Sequence, residues 1–201
     1  MRQAVNQKQR INILRVTMLL LLPVILIVPP GFGNSGPGHE IIEAVGMLML
    51  FAGVLGRFWA ILYVGGVKNA ELMTDGPFSM TRNPLYFFST LAATGIGLML
   101  GALSFALLLG GLIGAILWIT AARESAYLRQ EFGPAYDAYA ARVPFFFPDP
   151  RLFRTAPTLT VRTAPLRRNL FDALVFLAFV PVVELIDTLK SVIGPIGFSL
   201  W

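Results

Sequence analysis

The chain has 201 residues, of which 56% are hydrophobic and 13% are charged, and its mean hydropathy is +0.70. A soluble domain carries about 25% charged residues, so this composition excludes an ordinary soluble protein and favours a membrane protein of one compact unit. The absence of cysteine excludes disulfides and thiolate-bound metals, and the single histidine, His39, argues against a histidine metal cluster. The net charge of +5 indicates membrane topology rather than a nucleic-acid surface.

The apolar runs predict an all-α polytopic membrane protein with four to five transmembrane helices. The first run, near residues 16–30, follows a basic head and lacks a small-residue cleavage site, so we predict a retained anchor rather than a cleaved signal peptide. The second run, residues 41–67, is interrupted only by Glu43 and Arg57 and exceeds the ~20 residues that one crossing needs. These two runs supply the first two predicted spans.

The residues from Asn83 to Ala122 carry no charge over forty positions, about twice the length of one crossing. We therefore predict a helical hairpin, with spans near residues 85–100 and 102–122 and a reversal at Gly101 to Ser104. A hairpin of helices satisfies the backbone hydrogen bonds inside lipid. Glycines at small-xxx-small spacing are expected to pack these helices rather than to bind a ligand, and they are Gly97, Gly101, Gly110 and Gly114.

Charged and aromatic residues alternate after Ala122, which predicts a cytoplasmic amphipathic helical segment, residues 123–150, at the membrane surface with a break near Gly133-Pro134. Residues 1–150 form the predicted membrane core. Residues 151–201 are predicted to form a basic connector and a C-terminal apolar helix near residues 170–189. That last helix either spans the membrane or lies at its interface, and the pattern leaves both interpretations open.

The basic residues predict the orientation. With the N-terminus in the cytoplasm, fifteen of the sixteen Lys and Arg residues lie on that side and only Lys190 does not. We therefore predict an integral protein of the bacterial inner membrane whose N-terminus and chemically active face are cytoplasmic. The loop that contains His39 is then expected to be solvated on the outer side.

Two polar stretches flank the uncharged hairpin, and each contains one charge at the edge of a span. Because the hairpin returns, Arg82 and Glu124 are expected at the same membrane depth. A charge at such an edge is costly unless it is paired, reaches the interface or lines a wet cavity. The two residues therefore form either a structural ion pair or a functional site.

Both flanking stretches resemble motifs of one family. Residues 76–86 contain Gly76-Pro77-Phe78-Ser79 and Arg82-Asn83-Pro84-Leu85-Tyr86, and they resemble the GPYxxxRHPxY signature of the integral-membrane methyltransferases, the isoprenylcysteine carboxyl and phospholipid N-methyltransferases. Asn83 replaces the usual histidine, and Ser125 replaces the second residue of a usual Glu pair. The residues that resemble the second motif are Glu124, Leu128, Phe132-Gly133, Tyr136, Tyr139 and Arg142-Val143-Pro144, and the likeness covers residues 57–148.

The resemblance implies S-adenosylmethionine as the cofactor, and the composition predicts no metal site. The resemblance also implies that Arg82 and Glu124 are catalytic, and that the cofactor-binding residues are Gly76, Pro77, Arg82, Asn83, Pro84, Tyr86, Glu124, Tyr136 and Tyr139. The residue types suit this ligand, because the Arg82 guanidinium can bind a carboxylate with two donors and a Glu124 carboxylate can accept from an ammonium or a hydroxyl. Tyrosine rings offer faces to a cation.

The predicted function is S-adenosylmethionine-dependent methyl transfer to a lipophilic membrane substrate, most like isoprenylcysteine carboxyl O-methylation. Phospholipid N-methylation is the alternative within the class. A membrane reductase similar to the sterol reductases and a non-catalytic membrane scaffold are the alternatives from other classes. The predicted partner is a lipophilic substrate that enters from the bilayer, and no nucleic acid is expected.

Overall fold

The structure, a computed structural model, describes residues 37–64, 71–99 and 103–159 and scattered single positions and pairs between 161 and 188. These residues are all-helical and include no strand. The helices are α1 (Pro37–Val64), α2 (Pro77–Met80), α3 (Pro84–Met99), α4 (Leu103–Phe132) and α5 (Pro134–Ala140), followed by a 3-10 helix (Pro150–Leu152).

The first described helix, α1, begins four residues before the predicted run. Pro37 occupies its first position, where a proline fits because the amide hydrogen would have no helical partner. His39 therefore belongs to the first turn of α1, and the prediction of a loop at this residue is wrong. The predicted end of this run, residues 65–67, lies outside the described residues, as does the first predicted span near residues 16–30.

Two described helices are long and apolar enough to cross a membrane, Glu40–Val64 and Leu103–Phe132. The helix between them, α3, is apolar but shorter, with 16 residues or a length of about 24 Å at 1.5 Å per residue. Large apolar side chains on α1 point away from the protein interior, as expected for a surface that faces lipid. They are Ile41, Leu48 and Leu55.

Helix α3 lies between α1 and α4 and packs against both. Close approach to α1 depends on two facing glycines: a Cβ added at Gly46 would lie 2.7 Å from the Gly95 carbonyl oxygen, and one at Gly95 would lie 2.5 Å from the Gly46 carbonyl oxygen. The core that these contacts enclose contains Leu50, Val54, Ala92, Ile96, Leu109, Ile113 and Leu117. Glycine therefore brings the helix backbones together, as it does in other membrane helix pairs.

The hairpin predicted from the uncharged stretch is confirmed in its described part. Along the antiparallel pair of α3 and α4, Gly97 faces Ala106 and Gly110 faces Thr94. A Cβ at Gly97 would lie 2.5 Å from the Ala106 Cα, so Gly97 has the predicted packing role. Residues 100–102, which include the predicted reversal at Gly101, are outside the described residues.

The separate surface helix predicted after Ala122 is wrong. Residues 123–132 continue α4 without a break, so α4 has 30 residues and a length of about 45 Å, longer than the ~30 Å of a bilayer core. The predicted break at Gly133-Pro134 is confirmed, because Gly133 has a φ of 50° and ends the helix before α5 begins. The charged part of α4 is thus a rigid extension of a candidate membrane span.

One arginine lies well inside α1. The Arg57 guanidinium donates from Nη1 to the Ser89 hydroxyl of α3, and Ser89 in turn donates to the Leu85 carbonyl oxygen at 2.6 Å. A charge within an apolar helix is costly unless it has such partners. This contact therefore joins α1 to α3 close to the residues of the candidate site.

Of the predicted C-terminal helix near residues 170–189, only single helical positions are described. Two of them, Leu177 and Val180, pack against the helical core. Whether this segment crosses the membrane lies outside the described residues and stays a prediction.

Candidate active site

The connection between α1 and α3 contains a tight turn at Gly76. This residue has a φ of 60°, a conformation that favours glycine, and an added Cβ would lie 2.3 Å from the ring of Tyr63. Pro77 then starts the single turn of α2, and the Ser79 hydroxyl donates to the Gly76 carbonyl oxygen at 2.6 Å. The turn leads the chain to Arg82 at the N-terminal end of α3.

Residues 144–155 run back along this loop in the opposite direction, and we call them the return segment. The backbone amide of Arg82 donates to the Pro144 carbonyl oxygen at 2.9 Å, and that of Gly76 donates to the Arg154 carbonyl oxygen at 2.8 Å. Between these two ends, the Thr81 hydroxyl donates to the Phe146 carbonyl oxygen at 2.9 Å. The return segment therefore holds the loop against the helices.

The return segment also continues past the predicted core boundary at residue 150. Arg154 Nε lies 3.5 Å from Asp75 Oδ1, with both side chains about half exposed. The Phe153 ring packs against Trp59 of α1 in a tilted arrangement, with ring centroids 5.7 Å apart. The boundary itself stays a prediction, but residues 151–155 contact the same loop as residues 144–150.

Arg82 lies half-buried under the return segment. Its guanidinium carbon is 5.2 Å from the centroid of the Phe145 ring, and Nη1 makes a long contact of 3.5 Å with the Tyr136 hydroxyl. Its Nε is fully buried and has no hydrogen-bond partner among the described residues. A buried donor without a partner costs about 1–3 kcal/mol. Among the described residues, Arg82 therefore has a buried donor with no acceptor.

Glu124 has a different partner from the one expected. The Tyr86 hydroxyl donates to Glu124 Oε2 at 2.6 Å, which joins α3 to α4 near the end of the hairpin. The contacts described for Arg82 are with Tyr136 and Phe145, so the ion pair of Arg82 with Glu124, one of the two interpretations of the sequence, is absent from the described residues. The structure thus separates a cationic centre at Arg82 from an anionic centre at Glu124.

Two tyrosines of α5 form the wall beside Arg82. Tyr136 and Tyr139 are almost fully buried, with ring centroids 6.1 Å apart and the rings edge to face. The Tyr139 hydroxyl donates to the Phe78 carbonyl oxygen at 2.7 Å. Burial, and then the neighbouring Tyr136, raise the pKa of Tyr139 above its ordinary value. Tyr139 therefore stays protonated and holds α5 to the loop of residues 75–83.

The Arg129 side chain fixes α5 from the other side of the Gly133 break. Its Nε lies 2.6 Å from Asp137 Oδ1, and its guanidinium carbon lies 5.9 Å from the Tyr136 ring centroid. Both members of this ion pair are more than half exposed, so its contribution to stability is small. It does connect the end of α4 to the tyrosine that contacts Arg82.

The remaining predicted site residues have structural contacts. The Asn83 side-chain amide donates to the Phe145 carbonyl oxygen at 2.8 Å, so it anchors the ring that lies beside Arg82. The Gly76 amide donates to Arg154 of the return segment and its carbonyl oxygen accepts from Ser79, and Pro77 and Pro84 are buried at the first positions of α2 and α3. Their roles in cofactor binding stay predictions.

Phe145 is a residue of the candidate site that the sequence interpretation did not include. It belongs to the run Phe145-Phe146-Phe147, which is flanked by Pro144 and Pro148 and lies outside the shared motifs. Its ring contacts Trp118 of α4, with centroids 4.8 Å apart and the rings edge to face. The sequence feature that could have predicted this contact is the run of three aromatic residues between two prolines. The prolines prevent a continuous helix, and the three apolar rings are expected to pack against another part of the protein.

A family model described as phospholipid methyltransferase matches residues 41–135, which include Arg82, Tyr86 and Glu124. The chain therefore belongs to the phospholipid methyltransferase family of membrane proteins. Tyr136, Tyr139 and the return segment lie beyond the matched residues.

Two curated relatives are similar over most of their length. The chain is 33% identical over 180 residues to the nickel-cobalt-cadmium resistance protein NccN of Alcaligenes xylosoxydans xylosoxydans, a match that covers 90% of this chain and 84% of that protein. It is 34% identical over 185 residues to the cobalt-zinc-cadmium resistance protein CzcN of Cupriavidus metallidurans, covering 90% and 82%. No solved structure is a significant match.

Proposed function

We propose that the chain is a membrane-embedded methyltransferase that uses S-adenosylmethionine and methylates a lipophilic acceptor. The observation that carries this proposal is Arg82, a half-buried guanidinium with a buried Nε that no described residue satisfies. It lies in the part of the chain that matches the phospholipid methyltransferase family. Family membership supports the class of reaction, and the unsatisfied donor of Arg82 supports the location of the active site.

The side chains present fit S-adenosylmethionine. The orphaned Nε and the adjacent guanidinium nitrogen of Arg82 suit the two oxygens of its carboxylate, since arginine binds carboxylates with two parallel donors. The Glu124 carboxylate suits its ammonium or its ribose hydroxyls. When bound, the cofactor supplies a methyl group activated by a sulfonium.

The side chains of the protein position the reacting groups and exclude water. The Arg82 guanidinium carbon lies 5.2 Å from the centroid of the Phe145 ring, which helps to position the N–H groups that select a planar anion. Tyr86 donates to Oε2 of Glu124 and so orients that carboxylate. The buried tyrosines of α5 exclude water from the side of the site that contains Arg82.

The acceptor atom decides whether a base is needed. A carboxylate acceptor, as in isoprenylcysteine O-methylation, attacks the methyl group without losing a proton. An amine acceptor, as in phospholipid N-methylation, must first lose one, and the Glu124 carboxylate is the group that we propose receives it. The description of the family favours the amine, whereas the motif likeness in the sequence favours the carboxylate.

We further propose that this methylation contributes to resistance against divalent metal ions, because both curated relatives are named for such resistance. The 201 residues contain no cysteine and one histidine, so they lack the thiolates that soft metal ions prefer. The proposed route is therefore a chemical change in a membrane component. Cells carrying the wild-type chain should survive cadmium or cobalt better than cells carrying an equal amount of Arg82→Lys, and equal survival would contradict this role.

The direct test is transfer of an isotopically labelled methyl group from S-adenosylmethionine. Purified chain in vesicles of bacterial lipid should label an organic-soluble product, and Arg82→Lys should label much less. Arg142→Lys is the matched control, because Arg142 is exposed and contacts only the Ala138 carbonyl oxygen. A reductase would instead bind a nicotinamide cofactor, and a scaffold would bind neither, so the co-purifying nucleotide separates these alternatives.

A further inference from the structure

The return segment exposes two aromatic side chains, Phe147 and Phe153, which are 69% and 47% accessible. Leu152 next to Phe153 is exposed as well. Hydrogen bonds hold the backbone of the segment along the loop of residues 75–83, so the exposure of these side chains follows from a fixed backbone. A group of large exposed apolar side chains indicates a surface that contacts lipid or another apolar partner.

The depth of Phe147 follows from its neighbours on the two helices of the hairpin. Its ring centroid lies 5.6 Å from that of Phe146, which in turn lies 5.1 Å from that of Trp118. Trp118 precedes Arg123, the first charge of α4, by about 7.5 Å at 1.5 Å per residue. Phe147 also contacts Phe87 in the first turn of α3, with ring centroids 6.3 Å apart. These contacts place Phe147 close to the depth at which the apolar part of α4 ends.

Phe153 lies beside the corresponding end of α1. Its ring packs against Trp59, which belongs to the last turns of the candidate span that ends at Val64. Two residues further along, the Thr155 hydroxyl shares a hydrogen bond of 2.8 Å with the hydroxyl of Tyr63 in the last turn of α1. Tryptophan and tyrosine are enriched where membrane spans meet water. Both exposed rings of the return segment therefore lie near a tryptophan at the polar end of a candidate span.

Positive charge accompanies the exposed rings. Residues 141–155 contain three arginines and one aspartate. Arg151 is exposed and directly precedes Leu152 and Phe153. Its backbone amide donates to Asp149 Oδ1 at 3.0 Å, which fixes the turn from which these side chains extend. Exposed apolar side chains flanked by arginine are typical of protein segments that lie in the interface of a membrane with anionic lipids.

We propose that the return segment is an interfacial membrane anchor. Phe147 and Phe153 insert into the lipid leaflet on the side of the candidate site, and Arg151 contacts lipid phosphates. On α4, Ile119 follows Trp118 and is 53% exposed, so the proposed contact continues an apolar surface of a candidate span. Exposure of both rings to water at this depth would be unfavourable, because burial of an aromatic side chain in an apolar environment lowers the free energy.

The anchor determines where the candidate site lies relative to the membrane. Phe145, which lies beside the Arg82 guanidinium, is in the same segment as Phe147, and its carbonyl oxygen accepts from the Asn83 side chain. Insertion of Phe147 therefore keeps Arg82 near the lipid head groups. The insertion itself requires no methyl transfer, so it can be tested without any activity.

Spin labels on single cysteines measure the depth, since the chain has no native cysteine. Helix α4 supplies the depth scale: Leu108→Cys and Ile119→Cys lie on its exposed apolar part, and Gln130→Cys lies on its charged extension. The protein is reconstituted in vesicles of phosphatidylethanolamine and phosphatidylglycerol, and collisions of each label with oxygen and with a polar nickel chelate are measured. We expect the labels at Phe147→Cys and Phe153→Cys to match Ile119→Cys. Their oxygen-to-nickel collision ratio should exceed that of Gln130→Cys at least about fivefold, because apolar lipid excludes the polar chelate.

Two results would overturn the anchor. A collision ratio equal to that of Gln130→Cys would place the rings in water. Few collisions with either reagent would mean that protein covers the rings, whether another part of this chain or a second copy. If Phe147→Cys does not fold, Phe153→Cys gives the same test independently, because the two rings lie beside different helices.

Lipid charge tests the contact of Arg151. Replacement of phosphatidylglycerol by phosphatidylcholine should move the label at Phe153→Cys toward water and lower its collision ratio at least about twofold, since the attraction to anionic head groups is lost. Arg151→Gln should cause the same shift in the original vesicles. Arg142→Gln is the matched control, because Arg142 is an exposed arginine that adjoins neither exposed ring, and it should leave the ratio unchanged. Equal ratios in both lipids and in both variants would overturn the contact of Arg151 with phosphate.

Discussion

The Arg82 guanidinium carbon lies 5.2 Å from the centroid of the Phe145 ring, and the neighbouring Asn83 side chain holds the Phe145 carbonyl oxygen at 2.8 Å. Asn83, which follows Arg82 in the chain, therefore helps to hold Phe145 beside the Arg82 guanidinium. A cation–π contact of this kind contributes about 0.5–2 kcal/mol, depending on how dry the site is. It helps fix the position of the Arg82 guanidinium beside the Phe145 ring.

The first prediction concerns the planar group of Arg82. Arg82→Lys keeps the charge and removes the two parallel donors, so affinity for S-adenosylmethionine should fall by at least about tenfold, or 1.4 kcal/mol, while the protein stays folded. Calorimetric titration of the cofactor alongside a melting curve measures both quantities. A lower melting temperature with unchanged affinity per folded molecule would mean that Arg82 has a structural role only.

The second prediction concerns the carboxylate of Glu124. Glu124→Gln keeps the size and an acceptor for the Tyr86 hydroxyl but removes the charge, so cofactor binding should weaken without unfolding. Tyr86→Phe keeps the charge and removes the hydrogen bond, so it should have a smaller effect on affinity. The same titration compares the two variants. Wild-type affinity in a folded Arg82→Lys, Glu124→Gln double variant would refute the assignment of the site.

The third prediction concerns the contact of α1 with α3. Gly95→Ala should destabilise the protein by about 1–3 kcal/mol, because the new Cβ would lie 2.5 Å from the Gly46 carbonyl oxygen. Gly38→Ala is the control, since its Cβ meets no atom within 4 Å. Thermal unfolding in one detergent provides the comparison, and equal melting temperatures for the two variants would show that the helices can move apart.

The fourth prediction concerns the alkaline pH range. Burial raises the pKa of Tyr139 above its unfolded value of about 10. At alkaline pH the folded state therefore keeps a proton that the unfolded state loses. The contribution of Tyr139 to the free energy of unfolding is complete below pH ~10 and declines as the pH rises further. Tyr139→Phe should flatten this decline while lowering stability at neutral pH, because it loses the hydrogen bond to Phe78. If the stability of the variant declined with pH at the same slope, the decline would come from other ionisable groups.

The fifth prediction concerns orientation. The distribution of basic residues predicts that Ser35 faces outward and that Arg142 faces the cytoplasm. The chain has no native cysteine, so Ser35→Cys and Arg142→Cys each carry a single reactive group. A membrane-impermeant maleimide should label the first in intact cells and the second only after lysis. The reverse pattern would invert the predicted topology.

Local patterns of the sequence were sufficient for the secondary structure around the hairpin. Forty uncharged residues are too long for one crossing, and the predicted run at 85–100 differs from α3 by one residue at each end. The turn at Gly133-Pro134 was also predictable, because the conformational freedom of glycine and the missing amide of proline act locally. Without such a local stop after Ala122, α4 continued where a new helix was predicted.

The partners of the charged side chains could be decided only by the tertiary structure. The sequence by itself determined that Arg82 and Glu124 lie at the two ends of one hairpin, and their neighbourhoods resembled one family of methyltransferases. The return segment then placed Phe145, rather than Glu124, beside Arg82, and Glu124 paired with Tyr86. Residues 82 and 145 are far apart in the chain, and their contact depends on how the return segment packs along the loop. No local pattern encodes that register, because it results from the sum of many weak long-range contacts.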